Sequence, residues 1–207
     1  MIRARLASLL IALLLPLSVH AATTVAELHS LLAKSLAGMQ QAKSLHGDFT
    51  QTRQLSGFPQ PLVSHGDFLF LRRIGIAWRS REPIQSEFIL DGSGVHGSGG
   101  LIPQNANQSS LRPIAALFIA MFELDLDALA ERFELNASGS VDAWQLDLVP
   151  RDEALKALTP HLSLHGGAQI ERVSFADSLG DLTEIRFERL RASSELPTTD
   201  ERARFAK

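Results

Sequence analysis

The 207-residue chain contains no cysteine. Disulfides, thiolate metal ligands and a lipid-modified cysteine at the mature N-terminus are thereby excluded, and stability must come from the core alone. A basic excess is also missing. Without Arg3 and Arg5 of the leader, 18 basic residues face 23 acidic ones, a formal charge of −5 with histidines neutral. Nucleic acid and anionic headgroups therefore exert no long-range attraction on this chain. Past residue 21 no apolar run approaches the ~20 residues that a membrane span requires.

Catalytic and metal-binding patterns are weak. His96-Gly97-Ser98-Gly99-Gly100 has the outline of a nucleophile elbow, but no helix pattern follows it and the stretch reads as a flexible hairpin. His161 and His165 stand four apart, which is a ligand spacing only on a helix. Pro160 and the alternation of Leu162 and Leu164 make that segment a strand, with the two histidines roughly 13 Å apart. No catalytic residue, cofactor or metal is expected.

The N-terminus carries a clear signal. Met1-Ile2-Arg3-Ala4-Arg5, the apolar run Leu6–Leu17 and the small-residue pattern Val19-His20-Ala21 form a secretory signal peptide over residues 1–21. Removing 21 of 207 residues leaves 186, enough for one domain over 22–207. The location expected from this leader is the periplasm. With 45% hydrophobic residues, the domain can build a core without covalent links.

Thr24-Val25-Ala26-Glu27 is a capping box, and Leu28, Leu31, Leu32, Leu36 and Met39 recur at helical spacing, so a helix is expected over about Val25–Gln41. Strand patterns follow at Leu45–Leu55, Leu62–Arg72, Ile74–Arg81 and Ser86–Leu90, with a hairpin turn at Asp91-Gly92 and a short, glycine-weakened strand after it. Ser110-Leu111-Arg112-Pro113 opens a nearly all-apolar helix with Ile114, Leu117, Phe118, Met121 and Phe122, and Leu124–Phe133 forms a second. Strands return at Phe133–Ala137, Trp144–Val149, Leu162–His165, Ile170–Ala176 and Thr183–Leu190, with a helical turn at Glu153–Leu158, and Glu195–Lys207 reads as a loose polar tail. The fold class expected from these runs is α+β, mainly β: a strongly curved antiparallel sheet or partial barrel with helices at its mouth.

In Phe68, Phe70 and Arg72 every second residue points the same way, so two rings and a guanidinium share one face of a strand. Phe88 and Leu90 repeat the pattern, and the face reads as the wall of a hollow. Trp78 is either core or part of that wall. Arg72 either snorkels from a strand end beside Arg73 or aims its donor fork at backbone carbonyls of the helical insertion and holds it shut.

These residues resemble the periplasmic outer-membrane lipoprotein carriers of the LolA family. The matching pieces are the N-terminal helix, His46-Gly47-Asp48-Phe49-Thr50-Gln51, Gly66-Asp67 with the apolar run to Arg72, Trp78, Glu82-Pro83 and Leu90-Asp91-Gly92. The resemblance implies an unclosed antiparallel half-barrel of about 10–11 strands with a helical lid over a hydrophobic cavity, its wall positions matching Phe68, Phe70, Trp78 and Phe88; Phe49, Ile76 and Leu90 are expected to complete the lining. It implies a lid formed by Ile114, Leu117, Phe118, Met121 and Phe122 and closed by Arg72. It also implies acylated lipoprotein or another lipid as cargo, an inner-membrane ABC-type donor and an outer-membrane acceptor lipoprotein. A monomer is expected. The alternative is a lipoprotein-sensing regulatory domain built on the same half-barrel. Two departures stand out: Arg73 where the family commonly has proline, and Val95-His96-Gly97-Ser98 where it commonly has aromatic residues.

Overall fold

The computed structural model describes residues 37–98 and 108–206, together with positions 30, 32 and 33. The leader, the capping box at Thr24–Glu27, and Leu28, Leu31 and Leu36 of the expected first helix lie outside the described residues. Residues 37–41 are helical, and Leu32 and Met39 are buried as the helical spacing predicts.

Ten strands follow among the described residues: β1 (Ser44–Gln54), β2 (Leu62–Leu71), β3 (Gly75–Glu82), β4 (Ser86–Asp91), β5 (Gly94–Ser98), β6 (Phe133–Ser140), β7 (Ala143–Pro150), β8 (His161–Gly166), β9 (Ile170–Ala176) and β10 (Leu182–Ser193). Between β5 and β6 lie helices α1 (Gln108–Glu123) and α2 (Leu126–Arg132); α3 (Glu153–Leu158) joins β7 to β8, and α4 (Thr199–Ala203) follows β10. All strands join one antiparallel sheet in the order β5-β4-β3-β2-β1-β10-β9-β8-β7-β6. Pairing β1 with β10 puts the first and last strands at the centre and leaves β5 and β6 as unpaired edges. The barrel is therefore open, as expected. α1 and α2 connect one edge to the other, and α1 does so over the inner face, where Leu117, Met121 and Phe122 join the cluster of wall residues.

Short polar side chains fix the connections. Asp125 caps α2 by accepting the Ala128 N–H at 2.9 Å, and Asp177 Oδ1 accepts the N–H groups of Leu179 and Asp181 in the β9–β10 turn. Trp144, fully buried in the β6–β10 half, donates its indole N–H to Gly167 O at 2.8 Å. Two glycines have a packing role on the inner face. A Cβ on Gly47 would meet Phe68 Cε1 at 2.7 Å, and one on Gly66 would meet Phe49 Cζ at 2.5 Å, so each glycine makes room for a ring lying over the sheet.

The C-terminal segment differs from the expected loose tail. α4 has a complete capping box between Thr198 and Glu201, Glu201 Oε1 accepts from His46 Nε2 at 2.6 Å, and Arg204 donates to Glu87 at 2.8 Å. Phe205 packs against Leu69, Leu71 and Ala77, which are at most 1% exposed on the outer face of β2 and β3. The physical reason is the unbroken apolar run Phe68–Leu71: a strand apolar on both faces needs cover on both. The tail supplies part of the outer cover.

Gly66→Ala tests this packing. Its Cβ would also approach Arg79 O to 2.0 Å, a backbone atom that cannot swing away. The substitution is expected to destabilise the fold by about 2–3 kcal/mol, read as a lower urea midpoint with an unchanged slope.

Candidate functional site: an aromatic wall and its helical cover

Strand register arranges the concave face in rungs. Phe70, Ile76 and Leu90 stand side by side across β2, β3 and β4, and Phe68, Trp78 and Phe88 form the next rung. One step further, Phe187, Phe49, Gly66, Ser80 and Ser86 line up across five strands. The Phe49 and Trp78 rings stack with centroids 4.0 Å apart, Phe68 lies 5.9 Å from Trp78, and Phe88 lies 6.2 Å from it. All seven residues predicted to line the cavity are buried and belong to one cluster. The alternation along β10, Ile185 then Phe187, also carries Phe187 onto this face, where its ring meets Phe68 edge-on at 5.3 Å. That signal was present in the sequence and lacked only the knowledge that β10 sits beside β1.

Helix α1 covers the upper rungs. Leu117, Met121 and Phe122 are buried, and Phe118 is partly buried against the same cluster. Ile114 lies within the helix, but its side chain is outside the described residues. Phe122 sits 5.1 Å from Phe68, 5.7 Å from Phe70 and 5.5 Å from Phe187, so one lid ring fills the space between three wall rings. These aromatic pairs each contribute about 0.5–1.5 kcal/mol beyond area burial.

Arg72 follows the last residue of β2, and its guanidinium makes three donations. Nη1 reaches Glu123 O at the end of α1 at 3.3 Å, while Nε reaches Ala42 O and Nη2 reaches Met39 O, both at 2.7 Å. The fork was expected to serve the helical insertion. Two of its three bonds instead go to the end of the N-terminal helix, so one cation ties two helix C-termini, where carbonyls lack intrahelical partners and the dipole is negative. The guanidinium also lies 5.8 Å from the centre of the Phe70 ring. Burial lowers the Arg72 pKa, the Glu123 carboxylate opposes that shift and neighbouring Arg73 adds to it, yet a guanidinium stays charged in proteins.

Arg73 has a left-handed backbone, φ 63°, and its N–H donates to Glu123 Oε1 at 3.0 Å. A proline there could neither adopt this φ nor supply the N–H. The departure at this position thus adds a second tie between the β2–β3 turn and the end of α1.

Toward the loop rim the cover stops and a cavity of about 370 Å³ remains. Its floor is Phe49, Trp78 and Phe88, its wall includes Gln51, Ser64, Ser80 and Ser86, and Leu62, Val63 and Ile84 stand at its rim. The predicted wall is therefore divided: Phe68, Phe70, Ile76 and Leu90 lie outside this cavity's lining, while Phe49, Trp78 and Phe88 still border open space. Among the described residues no group of three histidine or carboxylate side chains is placed to hold a metal ion. His161 lies on strand β8, as expected, and its Nε2 pairs with Ser163 Oγ at 2.9 Å.

Arg72→Leu removes all three donations, each worth about 1.5–3 kcal/mol. Amide exchange in α1 is expected to accelerate on the order of a hundredfold while the central strands β1 and β10 keep their protection. Arg73→Pro is expected to destabilise by more than about 2 kcal/mol, and Arg73→Gly, which keeps the N–H, by less than about 0.5 kcal/mol in either direction, both read from urea denaturation.

The family model described as outer membrane lipoprotein carrier protein LolA matches residues 40–200. No curated protein matches the chain. Among solved structures, the Pseudomonas aeruginosa MucA/MucB complex is similar at 19% identity and a TM-score of 0.44 over 82% of this chain, which spans 58% of that chain's length. A LolA superfamily protein from Nitrosomonas europaea is similar at 9% identity and a TM-score of 0.41, covering 82% of this chain and 98% of the other. The Mycobacterium tuberculosis lipoprotein LppX is similar at 11% identity and a TM-score of 0.35, covering 81% and 99%. With more than half of its length matched by the family model, this chain belongs to the LolA family of outer membrane lipoprotein carrier proteins.

Proposed function

We propose that this protein is a periplasmic carrier that receives the acyl chains of lipoproteins, or of a related lipid, against its aromatic wall and shuttles them from the inner to the outer membrane. In this reading residues 1–21 are removed on export and 22–207 act as one carrier domain. The donor is an inner-membrane ABC-type transporter and the acceptor an outer-membrane lipoprotein. The carrying observation is the cover itself: α1 lays Leu117, Met121 and Phe122 on the wall, and Arg72 ties its end by a hydrogen bond to Glu123 O.

The energetics favour an exchange. A sixteen-carbon chain represents roughly 12 kcal/mol of desolvation at about 0.8 kcal/mol per methylene, so it does not cross water unaided at useful rates. Acyl chains and α1 compete for the same rings, and entering cargo displaces the lid's apolar side chains outward. The wall is then apolar-covered in both states. Uptake costs little net surface, and release is correspondingly easy.

The test uses the mature protein incubated with a diacylated lipopeptide and then with acceptor vesicles. A stoichiometric complex by native mass spectrometry, faster amide exchange in α1 when loaded, and transfer of the lipopeptide to vesicles are expected. Failure to form any complex would overturn the carrier reading. Tight binding without transfer would favour a lipoprotein sensor instead.

A further inference from the structure

The carrier reading says nothing of how cargo is oriented, and the lower rungs of the concave face speak to that. Moving from the lid toward the rim, the inner face changes from the all-apolar rung Phe68, Trp78 and Phe88 to one in which Phe49 is followed by Ser80 and Ser86, and then to Gln51 beside Ser64. A polar band therefore lies between the aromatic rungs and the apolar rim of Leu62, Val63 and Ile84. Gln51 is its most buried member. It is only 8% exposed, it lines the cavity, and its amide makes no side-chain hydrogen bond among the described residues. No side-chain nitrogen or oxygen among the described residues is both sealed in protein and unpaired, so the Gln51 amide opens into the cavity. An amide that faces a cavity and has no protein partner pairs with water when the cavity is empty and can exchange that water for a ligand group.

Charge narrows what that ligand group is. Arg53, the cation in the cavity lining, already donates to Asp181 at 3.0 Å and lies 3.7 Å from Asp177. The two carboxylates offset the Arg53 charge and disfavour an anionic group here, whereas a neutral carbonyl needs only an N–H donor. We infer that Gln51 is a specificity residue that donates its side-chain N–H to the carbonyl oxygen linking an acyl chain to its carrier group, an ester or an amide. The chain then runs over Phe49 and Trp78 toward the lid, and the polar remainder of the cargo emerges between Leu62 and Ile84. This assignment rests on the carrier reading and adds a direction to it: carbonyl at the rim, tail under α1.

The test compares lipids that differ at one atom. The wild-type protein is titrated with 1-palmitoylglycerol, with its ether analogue 1-hexadecylglycerol, which lacks the carbonyl, and with its amide analogue N-(2,3-dihydroxypropyl)palmitamide. Ester or amide is expected to bind about fivefold tighter than ether, the effect of one neutral hydrogen bond, and the ester and amide arms show which linkage is preferred. Gln51→Leu is expected to abolish the preference for a carbonyl while leaving ether binding intact and raising the melting temperature of the empty protein. Equal affinity of the wild type for ester, amide and ether would overturn the assignment and leave the carrier reading standing. Absence of binding by all three would remove both. A less stable Gln51→Leu variant that keeps the carbonyl preference would assign Gln51 to the fold alone.

Discussion

The contact of Phe122 with Phe68, Phe70 and Phe187 is the interaction on which the architecture turns. An antiparallel sheet that curls without closing exposes its concave face, and aromatic residues on that face cannot be left to water. The strand order leaves β5 and β6 as edges and obliges the chain to pass between them, which brings α1 over the rings. Arg72 completes the arrangement by joining the end of α1 to the end of the N-terminal helix. Hydrogen bonds and apolar packing are the only ties described, and both can be exchanged for ligand contacts without breaking a bond.

A second constraint acts on the other side of the sheet. Leu69, Leu71 and Ala77 face outward and would form an apolar patch if nothing covered them. Phe205 lies against them, and around it the ion pair of Arg204 with Glu87 and the contact of Glu201 with His46 fix the C-terminal helix. The two covers differ in kind. The inner one is a long apolar helix meeting apolar rings, whereas the outer one is a short capped helix pinned largely by polar contacts at its edges. Loss of the inner cover exposes several rings at once, so the inner face is where a lipid has most to gain.

Much of this was legible from alternation and spacing. The period-two pattern of Phe68, Phe70, Phe88 and Leu90 marked the wall, and the helical recurrence of Leu117, Met121 and Phe122 marked its cover, because each pattern follows from local geometry alone. Long-range pairing was not legible. Phe187 joins the wall only because β10 lies against β1, and Arg72 divides its donors between two helices whose ends meet only in the fold. The tail was misread for a similar reason: Glu201, Arg204 and Phe205 look like a polar end with one ring until the outer face of β2 and β3 is seen to need them. Gln51 stands two residues after Phe49, so alternation alone puts it on the wall's face, but its lack of a partner is visible only in the fold.

The central claim is that α1 and an acyl chain occupy the same wall in turn. The absence of native cysteine permits labelling at two introduced ones, Ala116→Cys on the exposed side of α1 and Glu171→Cys on β9. The distance between spin labels at these sites, measured with and without bound diacylated lipopeptide, reads the lid position directly. A single distance is expected in the empty protein and a longer, broader distribution in the loaded one. An unchanged distribution in protein shown to carry the lipopeptide would contradict it.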